Sequence, residues 1–119
     1  MRRRRAAAKK WQLEVSSGMA LPKVEVPVTD PVEILIGRAR KLRQKRDLRR
    51  AVVMLREACN LDEWRARSWT LLGALLGEMG QRTEAVQAFH KARWLRARAG
   101  EKARAAVTAA LAARLVEAA

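Results

Sequence analysis

The chain has 119 residues, half of them apolar, which is material for one small domain and no more. Twenty-six Lys and Arg against twelve Asp and Glu give a formal net charge of +14, so the surface attracts polyanions or acidic protein. A single cysteine, Cys59, excludes an internal disulfide and a cysteine-based metal site. No stretch reaches the roughly 18 apolar residues that cross a bilayer, and no apolar run follows the basic start as a signal peptide requires. These totals lead us to expect a cytoplasmic protein without membrane insertion.

Residues 1–31 differ from the rest. Arg2, Arg3, Arg4, Arg5, Lys9 and Lys10 place six positive charges at the start. Val24, Val26 and Val28 then alternate around Pro27, whose missing backbone donor allows an edge strand or an extended arm and nothing more central. The expectation is a basic, partly disordered arm. Asp30 and Pro31 read as the cap and first-turn proline of a helix, and a folded region begins there.

Beyond residue 31 there is no proline, and apolar residues recur at helical spacing. Trp69, Leu72, Gly73 and Leu76 share one face. Gly80 and Gln81 mark a turn, Thr83 is placed to cap a second helix, and Ala85, Phe89, Ala92 and Leu95 form that helix's stripe. The same landmarks return 34 residues earlier as Leu35, Ala39, Leu42, Ala51, Leu55, Ala58 and Leu61. Seven matches at one offset make a repeat. A DNA-reading helix-turn-helix also has two helices and a glycine turn, but it needs no second copy upstream.

The period of 34 and the pattern W-x-x-L-G-x-x-L…G…A-x-x-x-F-x-x-A resemble the tetratricopeptide repeat. The resemblance covers residues 32–65 as a divergent copy and 66–99 as a good one. In the first copy Arg38, Arg46 and Leu48 stand where Leu72, Gly80 and Arg82 stand in the second, and neither copy ends in the proline common in that family. Residues 100–119 look like the capping helix of such an array, with Ala103 and Val107 continuing the frame and Ala105, Ala109, Ala112 and Ala113 facing outward. The resemblance implies an all-α fold, a short right-handed solenoid of helical hairpins with about five helices. Arrays of this kind usually need about three repeats to be stable, so the N-terminal arm packing across an open edge, self-association or a bound partner would supplement this one.

Catalytic chemistry finds few residues to use. His90 is a lone histidine on an amphipathic helix, and Cys59 follows a small core alanine with no base to activate it. Gly73, Gly77 and Gly80 are spaced for helix packing and a turn, not for a phosphate cradle. We expect no enzyme, no cofactor and no metal site.

Binding is the better home for function. In the family resembled, the first helices of successive repeats line a concave groove that takes a peptide. Carried onto this sequence, the groove would present Glu33, Ile36, Arg40, Arg43 and Gln44 from the first copy and Arg67, Thr70, Leu71, Ala74, Gly77 and Glu78 from the second. The cap would add Glu101, Arg104 and Thr108, and Trp64 stands at the junction of the copies. The carboxylate clamp of the family's chaperone-tail binders is absent here, where the positions hold Ile36, Arg40, Leu71, Glu101 and Ala105. A basic and apolar groove implies an acidic or amphipathic segment of another protein, whose carboxylates would meet Arg40, Arg43 and Arg104.

The alternative is a polyanion footprint. Residues 38–50, RARKLRQKRDLRR, hold eight basic residues opposed by Asp47 alone. Arg40 and Arg43 turn toward the groove while Arg38, Lys41 and Lys45 turn away. Together with Arg46, Arg49, Arg50 and the six charges of the arm, these would hold nucleic acid through phosphates, with strong salt dependence and little sequence preference. Trp11 beside Lys9 and Lys10 would either stack on a base or cover the open edge of the first repeat.

Overall fold

The helices of this chain are set by how they stop. The computed structural model describes residues 30–118. Within them α1 (Pro31–Gln44), α3 (Ala66–Glu78) and α4 (Arg82–Arg98) end in one backbone device. A residue with positive φ follows the last turn: Arg46 at 66°, Gly80 at 80° and Gly100 at 80°. The next amide then reaches back across the turn, Asp47 to the Leu42 carbonyl at 2.8 Å, Gln81 to Leu76 at 2.9 Å and Glu101 to Arg96 at 2.8 Å. This Schellman pattern satisfies carbonyls that the helix end leaves without partners. Glycine adopts it freely, whereas Arg46 does so against the clash of its own Cβ.

The end of α2 (Leu48–Leu61) is different. Asp62 is extended there, and its carboxylate accepts from the Trp64 amide at 3.1 Å and from the Arg65 guanidinium at 3.3 Å. This side-chain turn feeds the chain into α3 without a glycine. At the other end of α2, the Asp47 carboxylate accepts from the Arg50 amide at 3.3 Å and caps the helix. The cap expected at Thr83 is not formed: Gln81 is the flanking residue of α4, and Thr83 lies exposed inside its first turn. The last helix is α5 (Lys102–Glu117).

α1 packs on α2, α3 on α4, and each following helix most closely on the one before it, which is the sequential arrangement of a helical-hairpin repeat. The fold is all-α with five helices and no strand among the described residues. Ala51, Ala58, Ala85 and Ala92 are fully buried, and their small side chains let the helix backbones close on one another. Gly73 goes further. A Cβ there would lie 2.8 Å from two ring carbons of Phe89, so the ring seats against bare backbone. The equivalent positions of the first hairpin hold Ala39 and Leu55, both buried, with the smaller partner admitting the extra methyl.

Several sequence expectations are corrected by the register. Leu95 is buried but its counterpart Leu61 is 55% exposed, because α2 stops there while α4 runs on. α4 has 17 residues against 14 in α2, and Gly100 ends it later than the 34-residue spacing allows. The 34-residue frame therefore fails at the cap. Ala103 and Val107 are exposed, while Ala105 and Ala112, expected to face outward, are buried together with Thr108. Of the other two, Ala113 is exposed and Ala109 half-buried. The expected arm, apart from Asp30 and Pro31, lies outside the described residues.

Candidate functional site

Two helix faces meet across a groove. α1 contributes Ile36, Ala39, Arg40 and Arg43, and α3 contributes Leu71, Ala74, Leu75 and Glu78. Both sets are spaced three and four apart, so each helix offers a single stripe to the space between. Leu55 of α2 closes the floor, and the cavity measures about 260 Å³. That is below the ~300–1,000 Å³ usual for a small-molecule site and suits one or two side chains of a peptide.

The rim is charged. Arg43 donates from Nε at 3.0 Å and from Nη2 at 2.6 Å to the same Glu78 oxygen. The hydrogen bond first and the negative charge second hold the Arg43 pKa above its ordinary value. Arg40, one turn away on the same stripe, forms no ion pair among the described residues and is exposed. The groove thus offers one engaged and one unengaged guanidinium above an apolar floor.

The other groove residues expected from the sequence are placed differently. Arg67 and Glu33 pair with each other, and Arg65 joins Glu33 at 3.4 Å, so these charges tie the start of α3 to the start of α1. The Thr70 hydroxyl donates to the Ala66 carbonyl at 3.0 Å within its own helix. Gln44 is exposed at the end of α1 and does not line the cavity. Arg104 lies with Glu101 in a shallow depression at the start of α5. Thr108 is fully buried, accepting from Arg96 at 3.1 Å and donating to the Arg104 carbonyl at 2.9 Å. Trp64 belongs to another surface, where its ring centroid is 6.1 Å from that of Trp94 on α4.

The sequence reading missed a second compartment. Gly73, Ala74 and Gly77 of α3 face Leu111, Arg114 and Leu115 of α5 across about 360 Å³. Ala74 borders both cavities, so the two run side by side along α3. The residues of α5 were missed because the frame was carried into the cap unchanged. Gly100 was the available signal, since a glycine after a helical stripe marks where the helix stops.

Arg38, Lys41, Lys45, Arg46, Arg49 and Arg50 all lie at the surface, and Asp47 meets Arg50 at 3.3 Å. The remaining residues of the expected polyanion footprint, Arg2 to Arg5, Lys9 and Lys10, lie outside the described residues. Cys59 is buried at 2% exposure, and desolvation pushes its thiol up to about 11. A thiol so held is a packing residue and a poor nucleophile at neutral pH. His90 is exposed. Among the described residues no helix is long and apolar enough to cross a membrane, and no cluster of three metal-ligating side chains occurs.

No family model matches the sequence, and no curated protein matches it significantly. Seven solved chains match in structure. One is the type III secretion translocator chaperone SycD of Yersinia enterocolitica, solved as an alternative dimer. It is 24% identical with a TM-score of 0.51, over 75% of this chain and 78% of that one. The likeness is one of fold, and it agrees with the helical-repeat architecture built above.

Proposed function

We propose that this chain is a non-catalytic adaptor of the cytoplasm that holds an acidic or amphipathic segment of another protein between α1 and α3. The observation that carries this reading is the cavity with the apolar floor of Ile36, Leu55 and Leu71 and the guanidinium groups of Arg40 and Arg43 at its rim. An apolar side chain of the segment would enter the cavity while a neighbouring carboxylate met Arg40, a charge-assisted contact. The fold shared with a translocator chaperone, a protein that attends another protein, supports a role in protein recognition. None of the comparisons lends support to nucleic acid as the ligand.

The test is capture from native extract by the full chain, with and without nuclease, for the natural sequence and for Arg40→Glu/Arg43→Glu. A discrete protein that survives nuclease and is lost with charge reversal is the expected result. Undiminished capture by the reversed chain would remove the groove from the account.

A further inference from the structure

Away from the groove, two tryptophans stand exposed that no packing role requires. Trp64 is 60% exposed in the turn between α2 and α3, and Trp94 is 45% exposed on α4. Their rings are tilted by 37° with centroids 6.1 Å apart, too close to leave a slot between them. Lys91 lies 5.5 Å from the Trp64 ring, 5.1 Å from Trp94 and 6.0 Å from Trp69. Arg98 lies 4.9 Å from Trp94 and 5.8 Å from Trp64. Both cations sit on indole faces, and neither forms an ion pair among the described residues.

The turn that carries Trp64 and the neighbouring Trp69 ring are each tied by a hydrogen bond. The Trp64 amide donates to Asp62 at 3.1 Å, fixing the turn, and the Trp69 indole donates to the Glu63 carbonyl at 2.9 Å. Lys91, Trp94 and Arg98 follow one stripe of α4 by steps of three and four. On its far side Trp94 borders a depression of about 310 Å³ whose opposite wall is Ala105, Ala106 and Ala109 of α5. Small side chains there allow another backbone to approach. Exposed Trp rings with adjacent cations are the composition of a binding hot spot.

We propose that this surface is a second docking site, independent of the groove, for an acidic segment of a partner protein. An aliphatic or aromatic side chain of the segment packs against the parts of the Trp64 and Trp94 rings that stay exposed beside the two cations, and its flanking carboxylates meet Lys91 and Arg98. Charge selects this occupant. A second copy of the chain carries a net charge of +14 and brings like charge to like. Nucleic acid carries a phosphate at every nucleotide, whereas the site offers Lys91 and Arg98 at the rings and Arg93 beside the depression, and is bordered by Asp62 and the exposed Glu63. One or two carboxylates beside an apolar side chain fit that pattern.

Display of random peptides against the full chain tests this, with each enriched peptide then titrated against Lys91→Glu/Arg98→Glu, Trp94→Ala and Arg40→Glu/Arg43→Glu. Circular dichroism confirms that each variant is folded, and Lys91→Gln/Arg98→Gln serves if the reversal is not. The proposal expects a class of peptides with Asp or Glu beside an aliphatic or aromatic residue. Their binding falls at least tenfold in the first two variants and is unchanged in the third. Peptides lost only with Arg40→Glu/Arg43→Glu would overturn this site and leave the groove standing. Oligothymidylate binding that Trp94→Ala weakens, with no acidic class enriched, would overturn it in favour of nucleic acid. A dimer in sedimentation that Trp94→Ala dissociates, again with no acidic class, would overturn it in favour of self-association.

Discussion

In the second hairpin a glycine, Gly73, admits the ring of Phe89, and another, Gly80, turns the chain. The first hairpin builds the same turn and the same pair of helices with Ala39, Leu55 and Arg46. One methyl is added on one side of the interface and a ring is exchanged for a smaller side chain on the other. The repeat therefore constrains volume and backbone shape more tightly than residue identity. It also tolerates a defect: Arg46 holds a φ of 66° that suits glycine, and the first hairpin carries that cost.

The largest expected effect comes from breaking the volume match. Gly73→Ala drives a Cβ into the Phe89 ring and should destabilise by about 1–3 kcal/mol, the usual cost of overpacking. Gly73→Ala with Phe89→Leu rebuilds the first hairpin's solution inside the second and should recover much of the loss. A double-mutant cycle by chemical denaturation measures this, and strictly additive effects would break the comparison.

The turn residues sharpen it. Arg46→Gly should stabilise by about 1 kcal/mol, the left-handed penalty of an ordinary residue, while Gly80→Ala should cost a similar amount. Two buried hydroxyls make a further pair. Thr108 is satisfied by Arg96 and the Arg104 carbonyl, whereas the fully buried Ser68 hydroxyl has no partner among the described residues. Ser68→Ala should therefore be neutral or stabilising by up to about 1 kcal/mol, and Thr108→Val destabilising, both read as shifts in the denaturation midpoint.

The smallest effect at neutral pH belongs to Cys59. Its folded pKa is raised from 9.0 to about 11, so its contribution to stability is complete below pH 9. It is lost as pH climbs from 9 toward 11, where the unfolded thiol ionises and the folded one does not. The decline over that window should be shallower in Cys59→Ala than in the natural chain.

Much of this architecture was legible in the sequence because small residues at fixed offsets leave few alternatives. Ala39, Ala51 and Ala58 against Gly73, Ala85 and Ala92 give the period, and Pro31 gives the start. The cap was not legible by the same route, since a frame copied onto Ala103 and Val107 ignores the extra length of α4. Of the candidate groove, Arg40, Arg43, Ala74 and Glu78 came from the frame of the repeat family resembled, and they line the cavity between α1 and α3. Arg67 and Trp64 were misplaced because sequence spacing does not show that Glu33 neutralises one and that the turn at Asp62 carries the other toward Trp94. Local turns and cross-helix ion pairs redirect side chains that periodicity alone would aim into the groove.

Site-specific photocrosslinking tests the proposed groove most directly. A photoreactive residue at Ala74, between the two cavities along α3, is compared with one at Val53, which is exposed on α2. The expected result is an adduct with one discrete protein at Ala74, none at Val53, and loss of that adduct with Arg40→Glu/Arg43→Glu. An adduct at Ala74 that survives that charge reversal, or the same partner crosslinked only from Val53, would contradict it.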